Sequence, residues 1–348
     1  MTISLTLVNF ISKFYLEGRE FRVSVGGCKS RSFKLKYGVP QGSVLGPVLF
    51  TIYTIPLSDV MRFHQVPFQL YADDNQLVHS FPAGHPTTGP QTVAMTEKCI
   101  ADIKKWLHFN KLSLNAPKSD FLDITSSRRA GSVSQITVDG VGIPSSDSVR
   151  DLGVYFDNHM DMRAHIKSVC KAANFNLYKI GRIRKFLDRS SVERLVHALV
   201  ISKLDMNNGL LYGLPDNVLA PFQRVQNSAA RLICGIKKRD HITPVLKDLH
   251  WLPVRSRIIF KVLLLCFKAK CGSAPAYLSC CLQQQSRVRL TRSSCSELLI
   301  VPRTKSRYGD RSFSVAGPKL WNQLPPQIRS ITDVDQFKSA LKSWLFVM

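Results

Sequence analysis

Acidic residues are scarce in this chain of 348 residues. Asp and Glu total 24 against 48 Lys and Arg, which gives a formal net charge of +24. An enzyme that acts on small neutral metabolites has no need of such a positive field, whereas a partner built from phosphates is attracted by it. The alternative is a basic surface that serves solubility. Most of the excess follows residue 125, where 35 basic residues accompany 15 acidic ones, so we expect phosphate binding mainly there.

Long hydrophobic runs and paired cysteines are missing as well. The densest apolar stretch, Ile258–Phe267, is interrupted by Lys261 and is too short to span a bilayer. The nine cysteines are odd in number and contain no Cys-x-x-Cys pair, which argues against a disulfide framework and against a zinc site. We therefore expect an intracellular protein, nuclear or cytoplasmic and not secreted, with no membrane partner and no disulfide-linked partner.

The remaining composition is that of a globular protein, with 45% hydrophobic residues. Alternating and helical patterns predict an α+β fold, in which a mixed first part is followed by a mostly helical second part. The polar, basic residues 126–134 are the best candidate boundary. We predict four regions: 1–125, a connection with strands over 126–158, a helical domain over 159–282, and a basic C-terminal tail with a short helix over 283–348.

The first region alternates short strand-like and helical segments with glycine and proline. The predicted elements are a helix over Met1–Tyr15, strands over Phe21–Val25 and Arg31–Tyr37 around the turn Gly26-Gly27, an apolar helix over Val48–Val60 that Pro56 kinks or ends, a β-hairpin over Pro67–Phe81, a loop over Pro82–Pro90, an amphipathic helix over Thr92–Asn110 and a strand over Phe121–Thr125.

Helical spacing dominates after residue 159, following two strand-like pieces, Ile136–Val141 and Val149–Phe156. The later predictions are a capping box at Ser190-Ser191-Val192-Glu193 followed by a helix, a helix from Leu219 that Gly235 ends, helices over Arg255–Lys270 and Asp333–Phe346, and a mobile basic segment over Gln283–Gly309.

Two neighbouring acids, Asp73 and Asp74, lie at the predicted turn of the hairpin over Pro67–Phe81. Adjacent side chains of a strand point to opposite faces, so both carboxylates can serve one site only at a tight turn. Carboxylates this close repel each other unless a cation joins them, and Mg²⁺ prefers such oxygen ligands. The alternative for an isolated Asp-Asp pair is a solvated turn. We expect the turn to be held rigidly by its apolar neighbours Phe68, Leu70, Leu77 and Val78.

Glycines recur at every fourth residue in a second segment, at Gly38, Gly42 and Gly46, around the pair Pro40-Gln41. Glycine lets the backbone approach a bound strand or nucleotide closely. Gln41 can hydrogen-bond a base edge, a template backbone or a nucleotide sugar. The alternative is a plain strand-to-helix turn in which small residues serve packing.

Together these two segments resemble the palm of reverse transcriptases, most closely that of LINE-type non-LTR retrotransposons. Gly38–Pro47 is similar to the family's motif B, and Tyr71–Asp74 matches its motif C. The resemblance implies a partial polymerase palm, an antiparallel sheet with helices, over 1–125. It also implies a thumb-like helical domain over 159–282.

Three further segments carry a weaker resemblance. Trp106–Asp123, with Leu114-Asn115 followed by Lys118, resembles motif D of the family. Leu152-Gly153-Val154 resembles the segment that leads into the primer grip. The tail from Tyr308-Gly309-Asp310-Arg311 through Leu320–Pro325 resembles the usual end of these polyproteins.

The resemblance implies nucleotidyl transfer with Mg²⁺ as cofactor. Asp73 would be the principal Mg²⁺ ligand and Asp74 an auxiliary one, and both would be catalytic. Lys118 would lie near the nucleotide phosphates as a candidate proton donor to pyrophosphate. The alternative for Lys118 is an exposed loop lysine.

The same resemblance implies where the substrates bind. The partners would be an RNA template with a DNA primer, or an RNA–DNA hybrid, and a dNTP. Tyr71 and Ala72 would lie near the primer terminus and the incoming nucleotide. Gln41 and Gly42 would position the template and the nucleotide.

One part of the family pattern has no counterpart here. Motif A of the family supplies another Mg²⁺-binding Asp upstream of motif B, but this chain has no Asp before Asp59, and only Glu17 and Glu20 precede motif B. Two-metal catalysis holds the attacking and leaving oxygens between ions about 3.5–4 Å apart, which one hairpin alone is not expected to do. We therefore expect a chain that is truncated within the palm and has no, or very low, polymerase activity.

Two other interpretations remain open. One is a decayed fragment that does not fold stably, because apolar surface is left uncovered. The other is a non-catalytic nucleic-acid-binding remnant, whose basic helices grip a duplex backbone. The residues expected to do so, unless they only line solvated helix faces, are Lys179, Arg182, Arg184, Lys185, Arg224, Arg231, Lys237, Lys238 and Arg239.

Overall fold

The structure, a computed structural model, describes residues 16–39, 42–81, 88–125, 133–284 and 298–347. Its contacts divide it into two units, Met1–Ser146 and Asp147–Met348, and each is described by itself. The predicted helix over residues 1–15 and the part of the predicted mobile segment over residues 285–297 lie outside the described residues. Helices mixed with small antiparallel sheets fit the predicted α+β class, whereas the four-region division, the palm and the thumb remain predictions.

The first unit combines short β-hairpins with helices. Its described strands are β1 (Glu20–Phe21), β2 (Ser24–Val25), β3 (Cys28–Lys29), β4 (Phe33–Lys34), β5 (Phe68–Tyr71), β6 (Asp74–Leu77), β7 (Gln135–Val138) and β8 (Val141–Pro144). Its described helices are α1 (Gly46–Thr54), α2 (Leu57–Phe63), α3 (Thr88–Phe109) and the 3₁₀ turn Ala116–Lys118.

The first four strands form one interrupted hairpin, because β1 pairs with β4 and β2 pairs with β3, all antiparallel. The turn Gly26-Gly27 has φ values of 57° and 83°, which glycine adopts without steric cost. The predicted turn is therefore confirmed, although the paired stretches are shorter than the strands predicted around it.

The apolar helix predicted over Val48–Val60 is divided in two at Pro56. α1 ends at Thr54 and α2 begins at Leu57, with Pro56 as its N-cap residue. Proline has no N–H to continue a helix, so the prediction that Pro56 ends the helix is confirmed. α3 begins at Thr88 rather than at Thr92, and the predicted loop is wrong for its last residues. Pro90 is tolerated there because the first turn of a helix has no partner for its N–H groups.

The strand predicted over Phe121–Thr125 is wrong. Phe121 makes a single parallel bridge to Ser145, and the residues after Phe121 pair with no strand. The two strand-like pieces predicted beyond it do contain strands, but each piece spans the turn of a complete hairpin that was not predicted. β7 pairs with β8 in the first unit, and β9 (Ser148–Asp151) pairs with β10 (Val154–Asp157) in the second.

The turns of these two hairpins have positive φ at both central residues: 56° and 76° at Asp139-Gly140, and 44° and 84° at Leu152-Gly153. This is the backbone of a two-residue type I′ turn, which matches the twist of the flanking strands. The Asp-Gly pair is a recognised sequence signal for such a turn, so the first hairpin was predictable.

The second unit is mainly helical after its β9–β10 hairpin. The described helices are α4 (Arg163–Ile183), α5 (Arg189–Val196), α6 (Ser202–Asp205), α7 (Asp216–Cys234), α8 (Ile242–Asp248), α9 (Val254–Lys270), α10 (Ala276–Ser279), α11 (Arg307–Arg311), α12 (Phe313–Gln323), α13 (Pro326–Arg329) and α14 (Val334–Val347). A π-helical turn, His197–Ile201, joins α5 to α6. None of the helices that the structure describes is both long and apolar enough to cross a membrane.

The predicted capping box is wrong by two residues. The N-cap of α5 is Asp188, whose carboxylate accepts a hydrogen bond from the N–H of Ser191 at 3.3 Å. Aspartate satisfies the free N–H groups of a first turn as well as serine does, and it lies before the predicted box. The predicted end of α7 is confirmed, since Gly235 has φ 68° and donates its N–H to the Arg231 carbonyl.

Two cores hold the second unit together. In the first, the α4 residues Ala173 and Leu177 lie against α7, whose buried residues include Ala229 and Ile233. Alanine at such a contact allows two helices to approach closely. In the second core, Phe337 of α14 stacks between Phe267 and Trp321, with ring centroids 4.2 and 5.9 Å away.

Arg311, from the tail that resembles the end of the polyproteins, joins distant parts of the second unit. Its guanidinium donates to the carbonyls of Tyr212 at 3.1 Å, Met160 at 2.6 Å and Leu210 at 3.3 Å. The side-chain stem passes Gly213, where an added Cβ would lie 2.8 Å from Cγ of Arg311. Glycine is therefore needed at residue 213 for this approach.

Candidate functional site

The acidic pair lies at a tight hairpin bend, Tyr71–Asp74, as predicted. Tyr71 at the end of β5 pairs with Asp74 at the start of β6, and Ala72 and Asp73 form the turn between them. Ala72 has φ 53°, a left-handed conformation that costs a residue with a Cβ roughly 1–2 kcal/mol. The bend therefore needs support from the packing around it.

That support comes from one small core. Phe68, Leu70 and Leu77 of the hairpin pack against a buried cluster from α2, α3 and the segment between α2 and β5: Leu57, Met61, Val66, Cys99, Ile103 and Leu107. The prediction that apolar neighbours hold the turn is confirmed for these three residues. It is wrong for Val78, which follows β6 and is 58% exposed.

The four residues of the bend, Tyr71 to Asp74, are all exposed to solvent. Exposure by itself fits the alternative of a solvated turn. Among the residues that the structure describes, no group of three His, Cys, Asp or Glu side chains is arranged to hold a metal ion. Mg²⁺ takes one or two protein carboxylates and completes its shell with water or phosphate oxygens. The donor set of Asp73 and Asp74 thus fits one Mg²⁺.

The glycine segment approaches α1 through a tight turn. Gly38 and Gly42 have φ values of 84° and 80°, and the N–H of Gly46 bonds to the Ser43 carbonyl at 3.3 Å as α1 begins. The predicted contacts of Gln41 lie outside the described residues, and so does Pro40. Gly42 is exposed, so its backbone is open to a ligand.

Lys118 lies at the end of the 3₁₀ turn Ala116–Lys118, and its side chain is exposed. Leu112 and Leu114, which precede it, pack against the same buried cluster as the acidic hairpin. The elements that resemble motifs C and D therefore share one core. The exposed position itself fits both the phosphate contact and the alternative of a loop lysine.

The nine basic residues predicted to bind nucleic acid fall into two groups. Arg184 uses its guanidinium inside the fold: Nε donates to Leu232 O at 3.1 Å, Nη2 to Ile233 O at 3.3 Å and Nη1 to Leu187 O at 3.1 Å. Arg231 is half-buried and donates to Asp240 O at 3.2 Å. These two arginines are occupied by carbonyl groups of the protein, which is a structural role. The other members are exposed: Lys179, Arg182, Lys185, Arg224, Lys237, Lys238 and Arg239.

Three exposed aromatic side chains of the second unit were not identified from the sequence. Phe175, Tyr178 and Phe186 are exposed, and Nζ of Lys179 stands 4.5 Å from the centre of the Phe175 ring. One signal could have revealed them: residues 162–187 contain no Asp or Glu and place aromatic residues beside lysines.

The bend, the glycine segment and the shared core all lie in a part of the chain that matches a known family. A family model described as reverse transcriptase (RNA-dependent DNA polymerase) matches residues 2–156. This range contains the segments that resemble motifs B, C and D. Enzymes of this family use divalent metal ions.

Individual relatives of the chain are RNA-directed DNA polymerases from mobile elements. The chain is 27% identical over 246 residues to a probable RNA-directed DNA polymerase from the transposon X-element of Drosophila melanogaster, covering 68% of this chain and 26% of that protein. It is 26% identical over 217 residues to the RNA-directed DNA polymerase from the mobile element jockey of Drosophila funebris, covering 61% and 22%. The matched domain and these relatives support a reverse transcriptase of the non-LTR retrotransposon type. It spans about a quarter of the length of these relatives, and no solved structure matches it.

Proposed function

We propose that this chain supplies the metal-binding hairpin of an RNA-directed DNA polymerase, which extends a DNA primer on an RNA template with dNTPs. The observation that carries the proposal is the pair Asp73-Asp74 at the hairpin bend Tyr71–Asp74, inside the matched domain. The relatives are named as RNA-directed DNA polymerases, which supports the same reaction.

Asp73 and Asp74 hold Mg²⁺ in this proposal, with Asp73 as the principal ligand. When bound, the ion neutralises phosphate charge on the incoming nucleotide and orients it. Tyr71 and Ala72 border the primer terminus, and Gly42, with Gln41, borders the template. Lys118 places a positive charge near the nucleotide phosphates, which the shared core beneath motifs C and D supports.

The chain alone is proposed to have no, or very low, polymerase activity. Its sequence provides no Asp upstream of the glycine segment, so the carboxylate that would face the bend is not on this chain. Two ions cannot then be fixed at the separation of about 3.5–4 Å that an in-line displacement requires. Electrostatic preorganisation of this kind is often the largest catalytic contribution.

Primer extension on an RNA template with Mg²⁺ tests the proposed inactivity. We expect no dNTP incorporation above that of a mock preparation. Robust incorporation that Asp73→Ala abolishes would refute the proposed inactivity and establish the bend as catalytic. Incorporation that Asp73→Ala leaves unchanged would refute both.

Metal-directed cleavage tests the bend without depending on activity. Fe²⁺ with ascorbate generates radicals at a Mg²⁺ site, so we expect backbone cleavage close to Ala72, suppressed by excess Mg²⁺. The variant Asp73→Asn/Asp74→Asn should lose this cleavage. Asp59→Asn is the matched control, because Asp59 is an exposed acid on α2 that pairs with Arg62. Unchanged cleavage in the double variant would refute the proposal that Asp73 and Asp74 bind the metal ion.

A second candidate function is nucleic-acid binding without catalysis. The second unit supports it, since residues 147–348 contain 33 basic and 14 acidic residues and seven of the predicted contacts are exposed there. A duplex backbone is the expected ligand, because neutralised phosphates release counterions whatever the sequence.

A further inference from the structure

Helix α4 presents a stripe that combines aromatic rings with positive charge. Lys171, Phe175, Tyr178, Lys179 and Arg182 are spaced so that they lie on one side of a helix, and all five are exposed. The opposite side of α4 is buried against α7. We call these five residues the α4 stripe.

The aromatic residues of the α4 stripe are more exposed than core packing would leave them. Phe175 is 56% exposed and Tyr178 is 64% exposed, and Phe186, just beyond the helix, is 76% exposed. Large rings grouped on a surface mark an interaction site more often than rings scattered singly. The fold of the second unit does not need these rings, because its cores are formed by other residues.

Two of these exposed rings, Phe175 and Phe186, have a lysine ammonium over their face. Nζ of Lys179 is 4.5 Å from the centre of Phe175, and Nζ of Lys185 is 4.9 Å from the centre of Phe186. A cation held against a ring keeps both in place. The surface thus offers a flat apolar platform and a positive charge side by side.

No negative charge of the same segment opposes this surface. Residues 162–187 contain seven Lys and Arg and no Asp or Glu. A ligand that carries both regularly spaced negative charges and flat rings is complementary to the α4 stripe in both respects.

We propose that the α4 stripe binds single-stranded nucleic acid, with unpaired bases stacked on Phe175 and Tyr178 and phosphates held by Lys171, Lys179 and Arg182. The inference rests on the proposed nucleic-acid binding of the second unit but not on polymerisation. It deepens that proposal by naming an unpaired strand as the ligand of this surface. In a duplex the base faces are covered by their neighbours, so exposed rings gain nothing there, whereas every unpaired base offers a face for stacking.

Fluorescence anisotropy with a labelled oligouridylate tests the proposal on the full chain. Phe175→Ala/Tyr178→Ala keeps all charges of the stripe. We expect it to weaken binding of the single strand roughly fivefold or more for each stacked base and to leave the salt dependence unchanged. Lys179→Gln/Arg182→Gln should instead flatten the salt dependence. Tyr178→Phe keeps the ring and should bind like the unaltered protein.

Two comparisons make the result decisive. Tyr277→Ala removes an equally exposed ring elsewhere in the second unit and should leave binding unchanged. An RNA–DNA duplex of the same length should be bound equally by the unaltered protein and by Phe175→Ala/Tyr178→Ala. Equal loss for both ligands, or no loss for the single strand, would overturn the stacking role. If the unaltered chain binds neither ligand, nucleic-acid binding by the second unit fails as well.

Discussion

At the scale of single residues, Asp157 is an acid that lies largely out of contact with water. It ends β10, is 8% exposed, and accepts a hydrogen bond from the N–H of Asp161 at 2.7 Å. Burial raises the pKa of Asp157, and the charge of Asp161 raises it further. The positive charge of Arg311 acts on the same group, but it does not outweigh the loss of water.

This raised pKa predicts a dependence of stability on pH. A carboxyl whose pKa is higher in the folded state stabilises the fold below its unfolded pKa of about 3.9, and that contribution is lost as pH rises through the folded pKa. Asp157→Asn keeps an acceptor oxygen but does not titrate. We therefore expect the melting temperature of the unaltered protein to fall relative to that of Asp157→Asn as the pH rises above about 4.

Thermal melts at a series of pH values measure this difference. Asp59→Asn is the control, because Asp59 is exposed and pairs with Arg62 at the surface. If the melting temperatures of Asp157→Asn and the unaltered protein differ by the same amount at every pH, burial does not raise the pKa of Asp157.

Some features of the candidate site depend on neighbouring residues and could be predicted, whereas others depend on residues far along the chain and could not. The bend at Tyr71–Asp74 was predictable, because a two-residue turn between alternating segments is a short-range pattern. The occupation of Arg184 was not, because its acceptors lie in Leu232 and Ile233, 48 and 49 residues further along the chain. Nothing in the spacing of basic residues distinguishes an arginine that caps a helix from one that contacts phosphate.

At the scale of elements, the link between α11 and the loop before α7 depends on one glycine. Gly213 has φ 74° and would place a Cβ 2.8 Å from Cγ of Arg311. Gly272 has a similar φ of 68° but nothing within 4 Å of the same position. A comparison of the two glycines therefore distinguishes the effect of backbone strain from the effect of steric contact.

Gly213→Ala is expected to destabilise the protein more than Gly272→Ala does. Both variants force alanine into a left-handed conformation, at about 1–2 kcal/mol each, and only the first also displaces Arg311 from its carbonyl acceptors. Urea unfolding followed by circular dichroism measures the two changes. Equal losses for the two variants would show that Arg311 adjusts without cost.

The elements also show why part of the fold escaped prediction. Long periodic helices such as α7 and α9 were found because their apolar stripes repeat over many turns. The failures were short: Phe121 makes one bridge where a strand was predicted, and the N-cap of α5 is Asp188 rather than Ser190. A few residues carry too little periodicity to separate a strand from an extended loop.

At the scale of the whole molecule, the charge is divided unequally between the two units. Residues 1–146 contain 15 basic and 10 acidic residues, and residues 147–348 contain 33 and 14. A face with many cations binds nucleic acid by releasing counterions, so affinity must fall steeply as salt is added. The loop between α7 and α8 contributes three adjacent exposed cations, Lys237, Lys238 and Arg239.

Binding of an RNA–DNA hybrid across a salt series checks this expectation. If all three cations contact phosphates, Lys237→Gln/Lys238→Gln/Arg239→Gln should make the negative slope of log K against log salt shallower by about three. Lys338→Gln is the control, since Lys338 pairs with Asp335 and should not change the slope. An affinity that does not vary with salt in the unaltered protein would exclude this function.

The reach of Arg311 has a consequence for how the chain is made. Its acceptors Met160, Leu210 and Tyr212 precede it by 151, 101 and 99 residues. During synthesis from the N-terminus these three carbonyls are made 99 to 151 residues before their donor, so this part of the second unit cannot close until Arg311 has emerged from the ribosome. A product that stops before Arg311 would leave all three carbonyls without this donor.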